Sequence, residues 1–210
     1  MKSILAVIGL LLSSSSWAHP VSFKGSLGIM GSQSELLSHN QINYSATHRF
    51  AFGAHYLRRP NRETDREAGF FTTNFLLKRW NGSSYQGNIY ALQGLGGSDF
   101  SGRGRLSGVS GLQFDIEDRE LYFLAKHLES YSGEGSDFRQ SIVRAGVAPY
   151  VADFEGIHSW LILQWQQNQF VDEDPVRDVT PFIRVFYNNL LFELGQSLDG
   201  VTRFNYITHF

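Results

Sequence analysis

The sequence predicts an all-β fold, a closed antiparallel up-and-down transmembrane β-barrel of about twelve strands. Three observations carry that expectation. Apolar and polar residues alternate along most of the chain, in segments close to the ~9–11 residues of a tilted strand crossing a bilayer. An export signal stands at the start of the chain, and an aromatic segment at its end.

Composition narrows the alternatives. Of 210 residues, 42% are apolar and 18% charged, which excludes a disordered chain. Aromatics at 14%, with 21 Gly and 5 Pro, favour strands and tight turns. The absence of Cys excludes disulfides, thiolate metal sites and a Cys nucleophile. Two Met leave few soft metal ligands. A net charge of −2 gives no bulk attraction to nucleic acid.

Residues 1–18 read as a secretory signal peptide. Lys2 precedes an apolar run over 4–12, and a serine run leads to Ser16, Trp17 and Ala18, with small residues where a signal peptidase reads. The run is too short to span a bilayer as a helix. The mature chain is expected to begin at His19, with 19–210 forming one barrel domain. Export without Cys suits a Gram-negative envelope.

The strands are expected at 21–30, 38–46, 50–59, 69–80, 84–95, 105–116, 119–129, 139–150, 157–167, 179–187, 190–197 and 202–210. Tight connections fall at 47–49, 81–83, 117–118, 152–155 and 188–189. Longer ones, rich in Ser, Gly, Asp, Glu and Arg, fall at 31–37, 60–68, 96–104, 130–138 and 168–178. Alternation of this kind matches periplasmic turns and outer loops. The short connection at 198–200 breaks the trend. An even strand count then puts both termini on the periplasmic side.

Two hairpins fix a register. With Asn188 and Asn189 as a two-residue turn, Val185 faces Phe192 and Ile183 faces Leu194, an apolar face suited to lipid. On the other face Arg184 meets Glu193 and Phe182 lies over Gly195, both stabilising cross-strand pairs. Asn tolerates the positive φ that a type I′ turn demands. After strand eleven, a two-residue turn at Asp199 and Gly200 would put Arg203 on the lipid face, because a one-residue slip swaps faces. A three-residue loop with Gly200 left-handed instead sets Phe204 opposite Leu194 and Tyr206 opposite Phe192.

Phe204, Tyr206 and the terminal Phe210 share one face, interleaved with Arg203, Asn205 and His209. This segment resembles the C-terminal strand of bacterial outer-membrane β-barrel proteins, which typically end in Phe with aromatic or apolar residues at alternate positions. The resemblance covers nine residues closely and departs at Thr208, where an aromatic is common. It implies that Phe204, Tyr206 and Phe210 form a membrane-assembly signal read by the barrel-assembly machinery. It also implies residence in the outer membrane, against lipid and lipopolysaccharide, and closure of the last strand on the first.

Charge sorts the faces. Lys or Arg on the lipid face near the midplane costs ~2–4 kcal/mol, so mid-strand charges should point inward. By that parity Lys24, His55, Arg144, Gln164, Arg184, Glu193 and Arg203 line the lumen. The facing of strands four to seven stays open, because Phe70 with Phe71 and Leu76 with Leu77 are apolar on both faces. Trp80, Trp160, Trp165, Tyr56, Tyr85 and Tyr150 are available for interfacial girdles, and Trp160 equally for the interior. A soluble lipocalin-like barrel would have the opposite polarity, apolar inside.

About eight strands fill with side chains while sixteen or more leave a channel, so twelve implies a narrow path decided by a few inward residues. A mildly basic lumen suits passage of small polar or anionic solutes. The same Arg184–Glu193 pair equally suits a closed structural or interaction barrel. The third class, an outer-membrane lipid hydrolase, needs Ser and His on one face. His158 with Ser159 and Ser38 with His39 are adjacent and face opposite ways. His127 shares a face with Glu129, but the nearby hydroxyls are Ser130 and Ser132. An enzyme is therefore not expected. No two of the seven His lie at i, i+2 within a strand, and the acidic run over 171–175 and the glycines at 94–97 and 102–104 read as loops. No metal, cofactor or nucleic-acid partner is implied.

Overall fold

The computed structural model describes residues 19–60, 65–151 and 156–210. The expected signal peptide at 1–18 and the expected turn at 152–155 lie outside those residues. Twelve strands follow one another: β1 (Leu27–Ser34), β2 (Ser38–Thr47), β3 (Phe50–Arg59), β4 (Arg66–Asn81), β5 (Gln86–Ser98), β6 (Arg105–Glu117), β7 (Leu121–Ser132), β8 (Gly135–Val147), β9 (His158–Phe170), β10 (Val176–Tyr187), β11 (Leu190–Gln196) and β12 (Thr202–His209). Each pairs antiparallel with its neighbour, and β1 pairs with β12 to close the barrel. No helix occurs among the described residues.

Polarity is inverted relative to a soluble core. Phe71, Leu95, Ile183 and Leu194 are outward and exposed, whereas Asn88, Asp115, Thr180 and Glu193 are buried inside. Apolar atoms outside and hydrogen-bonded polar atoms inside are what a cylinder standing in lipid requires.

The hairpins hold their predicted register. Arg184 pairs with Glu193 and Val185 with Phe192 across β10 and β11, while Leu194 pairs with Phe204 across β11 and β12. Gly200 is left-handed at φ 88. In the Asn188–Asn189 turn only Asn188 takes a positive φ, 54, so one residue rather than two adopts the left-handed region. A Cβ at Gly195 would lie 2.5 Å from the Pro181 carbonyl oxygen and 2.7 Å from the Phe182 ring, so that position needs glycine.

Three expectations change. First, β1 starts at Leu27 rather than residue 21. Gly25, at φ 88, turns the preceding segment inward, and Val21 packs inside the barrel against Ala51, Leu76 and Tyr90. Second, several strands run on through segments expected to be loops, reaching Ser34, Ser98, Ser132 and Phe170. Their polar residues keep pairing because Ser98, Ser130, Asp137 and Asn168 face the polar interior. The β7–β8 connection shrinks to two residues, 133–134, while the β8–β9 connection, 148–157, is the longest, at the end where tight turns were expected. Connection length therefore does not mark the outer side. Third, the β4–β5 turn centres on Ser83 and Ser84, closed by the Gly82 N–H donating to the Tyr85 carbonyl at 2.8 Å, so the connection runs over 82–85 rather than 81–83.

That third change follows from a β-bulge at Leu77, where the β4–β5 register shifts by one. Ordinary alternation accounts for Leu76 and Leu77 both being apolar: Leu76 is buried inside and Leu77 exposed to the outside. Phe70 and Phe71 resolve the same way, 3% and 82% exposed. A second bulge, between Ser130 and Tyr131 on one strand, turns both Asp137 and Phe138 inward on the other.

Candidate functional site

The interior is the candidate site. On the wall made by β8, β10, β11 and β12, Glu193 is the hub. It accepts from Arg184 Nε at 2.6 Å, Arg144 Nη2 at 2.6 Å and Asn205 Nδ2 at 2.7 Å. Arg203 Nη2 donates to Asp178 Oδ2 at 2.6 Å, and Thr180 Oγ1 to Asp178 Oδ1 at 3.0 Å. Charged hydrogen bonds of this length in a low dielectric are strong, and removing one partner strands the other. The Arg184 guanidinium also lies 4.4 Å from the Tyr122 ring centre, a cation–π contact.

On the facing wall Asp115 accepts from Asn88 Nδ2 at 2.7 Å and Gln113 Nε2 at 2.9 Å. Arg79 donates to Asn88 Oδ1 at 2.7 Å and to the Tyr90 hydroxyl at 3.3 Å. Between the walls is a chamber of about 150 Å³, room for a handful of waters. Lys126, Arg144, Arg184 and Arg203 line it, with Asp115, Glu117 and Glu193.

Both ends of the chamber are filled. At one end Phe100, Phe138, Phe170, Leu57, Leu128 and Phe70 form a buried apolar cluster. Phe100 comes from the β5–β6 connection and is fully buried. At the other end the segment from His19 to Val21 enters the barrel, and a second cluster packs Trp160 against Tyr122, Ile162 and Phe182.

The predicted lumen residues separate as follows. Arg144, Gln164, Arg184, Glu193 and Arg203 meet around the chamber. His55 is buried but not on the chamber, with its Nδ1 3.1 Å from His39 Nε2. Lys24 is not in the lumen. It sits exposed in the turn before β1, because β1 starts at Leu27, six residues later than expected and three beyond Lys24. Of the girdle candidates, Tyr56, Tyr85, Tyr150 and Trp165 are outward and Trp160 is inward. Phe204 and Phe210 are exposed on the outer face. The Tyr206 ring covers Gly31, and its hydroxyl donates to Asn40 Oδ1 at 2.9 Å.

The sequence reading missed Asp115, Glu117, Lys126 and Asp178 as inward charges. All four follow the period-two parity of their strands, so strand phase was the missing signal. It also missed Ser141, which sits opposite His127 across β7 and β8 with Oγ 2.9 Å from His127 Nδ1 on the outer face. Ser130 points inward instead, and the Glu129 carboxylate accepts from Arg139 Nε at 2.8 Å.

The twelve-stranded closed barrel stands with its oily face outward. No family model matches the chain, and no curated protein matches it. Among solved structures it is similar to the crystal structure of Pseudomonas aeruginosa OccK5 (OpdH), with a TM-score of 0.39 and 11% identity. The match covers 86% of this chain and 62% of that one.

Proposed function

We propose that the chain is an outer-membrane barrel, exported by the signal at 1–18, that passes small polar or anionic solutes passively through a narrow, gated lumen. The observation that carries this reading is the charged chamber enclosed by an apolar exterior. Four cations and three carboxylates line it, and Asp178 bonded to Arg203 supplies a fourth carboxylate; where Arg144 and Arg184 share Glu193 the local excess would disfavour cations and admit small neutral or anionic solutes. The apolar cluster around Phe100 and Phe138 would act as the gate, since hydrophobic constrictions close by dewetting. Both termini then lie on the periplasmic side. Lipid and lipopolysaccharide surround the barrel, and Phe204, Tyr206 and Phe210 present the assembly signal.

Planar-bilayer recording tests it. Wild type is expected to conduct weakly, Phe138→Ala to raise conductance several-fold, and Arg144→Ala to shift selectivity toward cations. Silence of both wild type and Phe138→Ala at every voltage would leave the second reading, a closed structural barrel. That reading is favoured by the same cluster, which fills the lumen end completely. The outward His127–Ser141 bond favours a hydrolytic activity on lipid esters; ester turnover lost in Ser141→Ala would establish it.

A further inference from the structure

The N-terminal segment is built into the lumen rather than left outside it. His19 is buried, its ring stacked on Tyr90 with centres 5.6 Å apart. Val21 is fully buried. The Ser22 N–H donates to Ser45 Oγ at 2.9 Å, and the Gly25 N–H to the Ser45 carbonyl at 2.7 Å.

What the segment meets there is two carboxylates. Asp115 Oδ2 lies 3.8 Å from His19 Nδ1, and Glu117 Oε1 lies 3.7 Å from His19 Nε2. Both acids are buried, at 1% and 5% exposure. The hydrogen bonds to Asp115 come from Asn88 and Gln113, both neutral. Among the described residues Glu117 Oε1 and His19 Nε2 are buried with no hydrogen-bond partner. Burial pushes the His19 imidazole down to about 4, although Asp115 opposes that shift, so the ring brings no charge at neutral pH. Among the described residues no cation is bonded to either acid, and Arg79 and Arg184 act on Glu117 only through space, an unfinished electrostatic arrangement.

Cleavage after Ala18 would finish it. Hydrolysis of the Ala18–His19 amide leaves a carboxylate on the departing leader and an ammonium on His19, the residue already held against both acids. We propose that the α-ammonium released by leader removal docks inside the barrel as the counter-ion of Asp115 and Glu117. Processing and lumen assembly are thereby coupled, and a chain still carrying its leader lacks the cation that these two acids would bond. The inference rests on the export signal and not on conduction, so a non-conducting barrel leaves it intact.

The test compares two chains refolded in detergent: His19–Phe210, and the same chain with a Gly-Ser extension before His19. Glu117→Gln is made in each. The extension is expected to lower the midpoint of heat-modifiable unfolding by roughly 5 °C. Glu117→Gln should lower the midpoint in the processed chain, where it removes half the docking site. In the extended chain it should raise it, by relieving an unbalanced carboxylate. An extended chain that refolds only as Glu117→Gln supports the same conclusion. Equal midpoints for the two starting chains, or the same sign of Glu117→Gln in both, would overturn the proposal. So would a mass for the protein from outer membranes that does not start at His19.

Discussion

The wall from β9 through β12 and the wall from β4 through β8 solve the same problem differently. From β9 to β12 the alternation is unbroken: Arg184 meets Glu193 at a register position, and Arg203 reaches across β11 over Gly195 to Asp178. From β4 to β8 two bulges interrupt it. Each bulge rescues a polar side chain that strict alternation would aim at lipid. The one at Leu77 turns Arg79 toward Asn88 and Tyr90 and in exchange sets Lys78 outside, 4.9 Å from the Trp80 ring centre. The one in β8 turns Asp137 inward, where it accepts from Ser132 Oγ at 3.0 Å and Ser107 Oγ at 3.1 Å. A bulge thus acts here as a device for re-aiming charge.

The comparison breaks most severely at its regular wall. Glu193→Ala leaves Arg144 and Arg184 buried without their shared carboxylate and is expected to cost about 3–5 kcal/mol, read by denaturant unfolding in micelles. A cost under 1 kcal/mol would show that water enters freely enough to replace the hub.

Glycine contacts give the next largest effect. A Cβ at Gly96 would sit 1.8 Å from the Gly69 carbonyl oxygen, a backbone atom, whereas at Gly31 it meets only the Tyr206 ring, at 2.3 Å. Gly96→Ala should cost about 1–3 kcal/mol and Gly31→Ala less, because a ring can rotate and a strand cannot. The reverse order of melting midpoints would contradict this.

Deleting Leu77 sharpens the role of the bulge. Arg79 would keep its place, because removing the extra residue leaves Lys78 opposite Ile89 and Arg79 opposite Asn88 in an unbroken ladder. A change of under about 1 kcal/mol is expected, with Asn88 keeping its protection in hydrogen exchange, and loss of that protection would show that the bulge itself aims Arg79.

The smallest effect lies outside the membrane. Glu173, in the β9–β10 connection, accepts from Arg59 at 2.6 and 2.8 Å. That hydrogen bond, opposed by partial burial, holds its carboxyl below the ordinary carboxylate range. A depressed folded value means the contribution is present above the unfolded value of about 4.3 and fades as pH falls through the folded one. Because the pair is well exposed it is worth under about 1 kcal/mol. Proteolysis of the 171–175 loop should accelerate below about pH 4 in wild type, and Glu173→Gln should abolish that pH dependence.

Strand number, polarity and the last two hairpins were legible because turn residues and period-two patterning agree there. Arg184 and Glu193 could be paired across Asn188–Asn189 without coordinates. The first strand was not legible, since 21–26 alternates as a strand does yet carries Val21 inside the barrel and leaves 23–25 as an exposed turn. Nor were Arg79 and Asp137, because an inserted residue reverses parity with no local signature. His127 and Ser141 are distant in sequence and meet only once the β7–β8 register is fixed. Lys24 failed for the same reason as β1: a turn at Gly25 separates it from the sheet.

The seam between β1 and β12 sets Gly28 against His209 and Gly31 against Tyr206. It joins the two ends of the chain, so its loop-closure cost exceeds that of any hairpin and it is the contact that must wait longest to form. Until it does, the sheet has two raw edges ready to pair with any other strand. Small residues on one side and rings on the other make that last joint a latch. The hazard of misassembly is concentrated in the few residues that shut it.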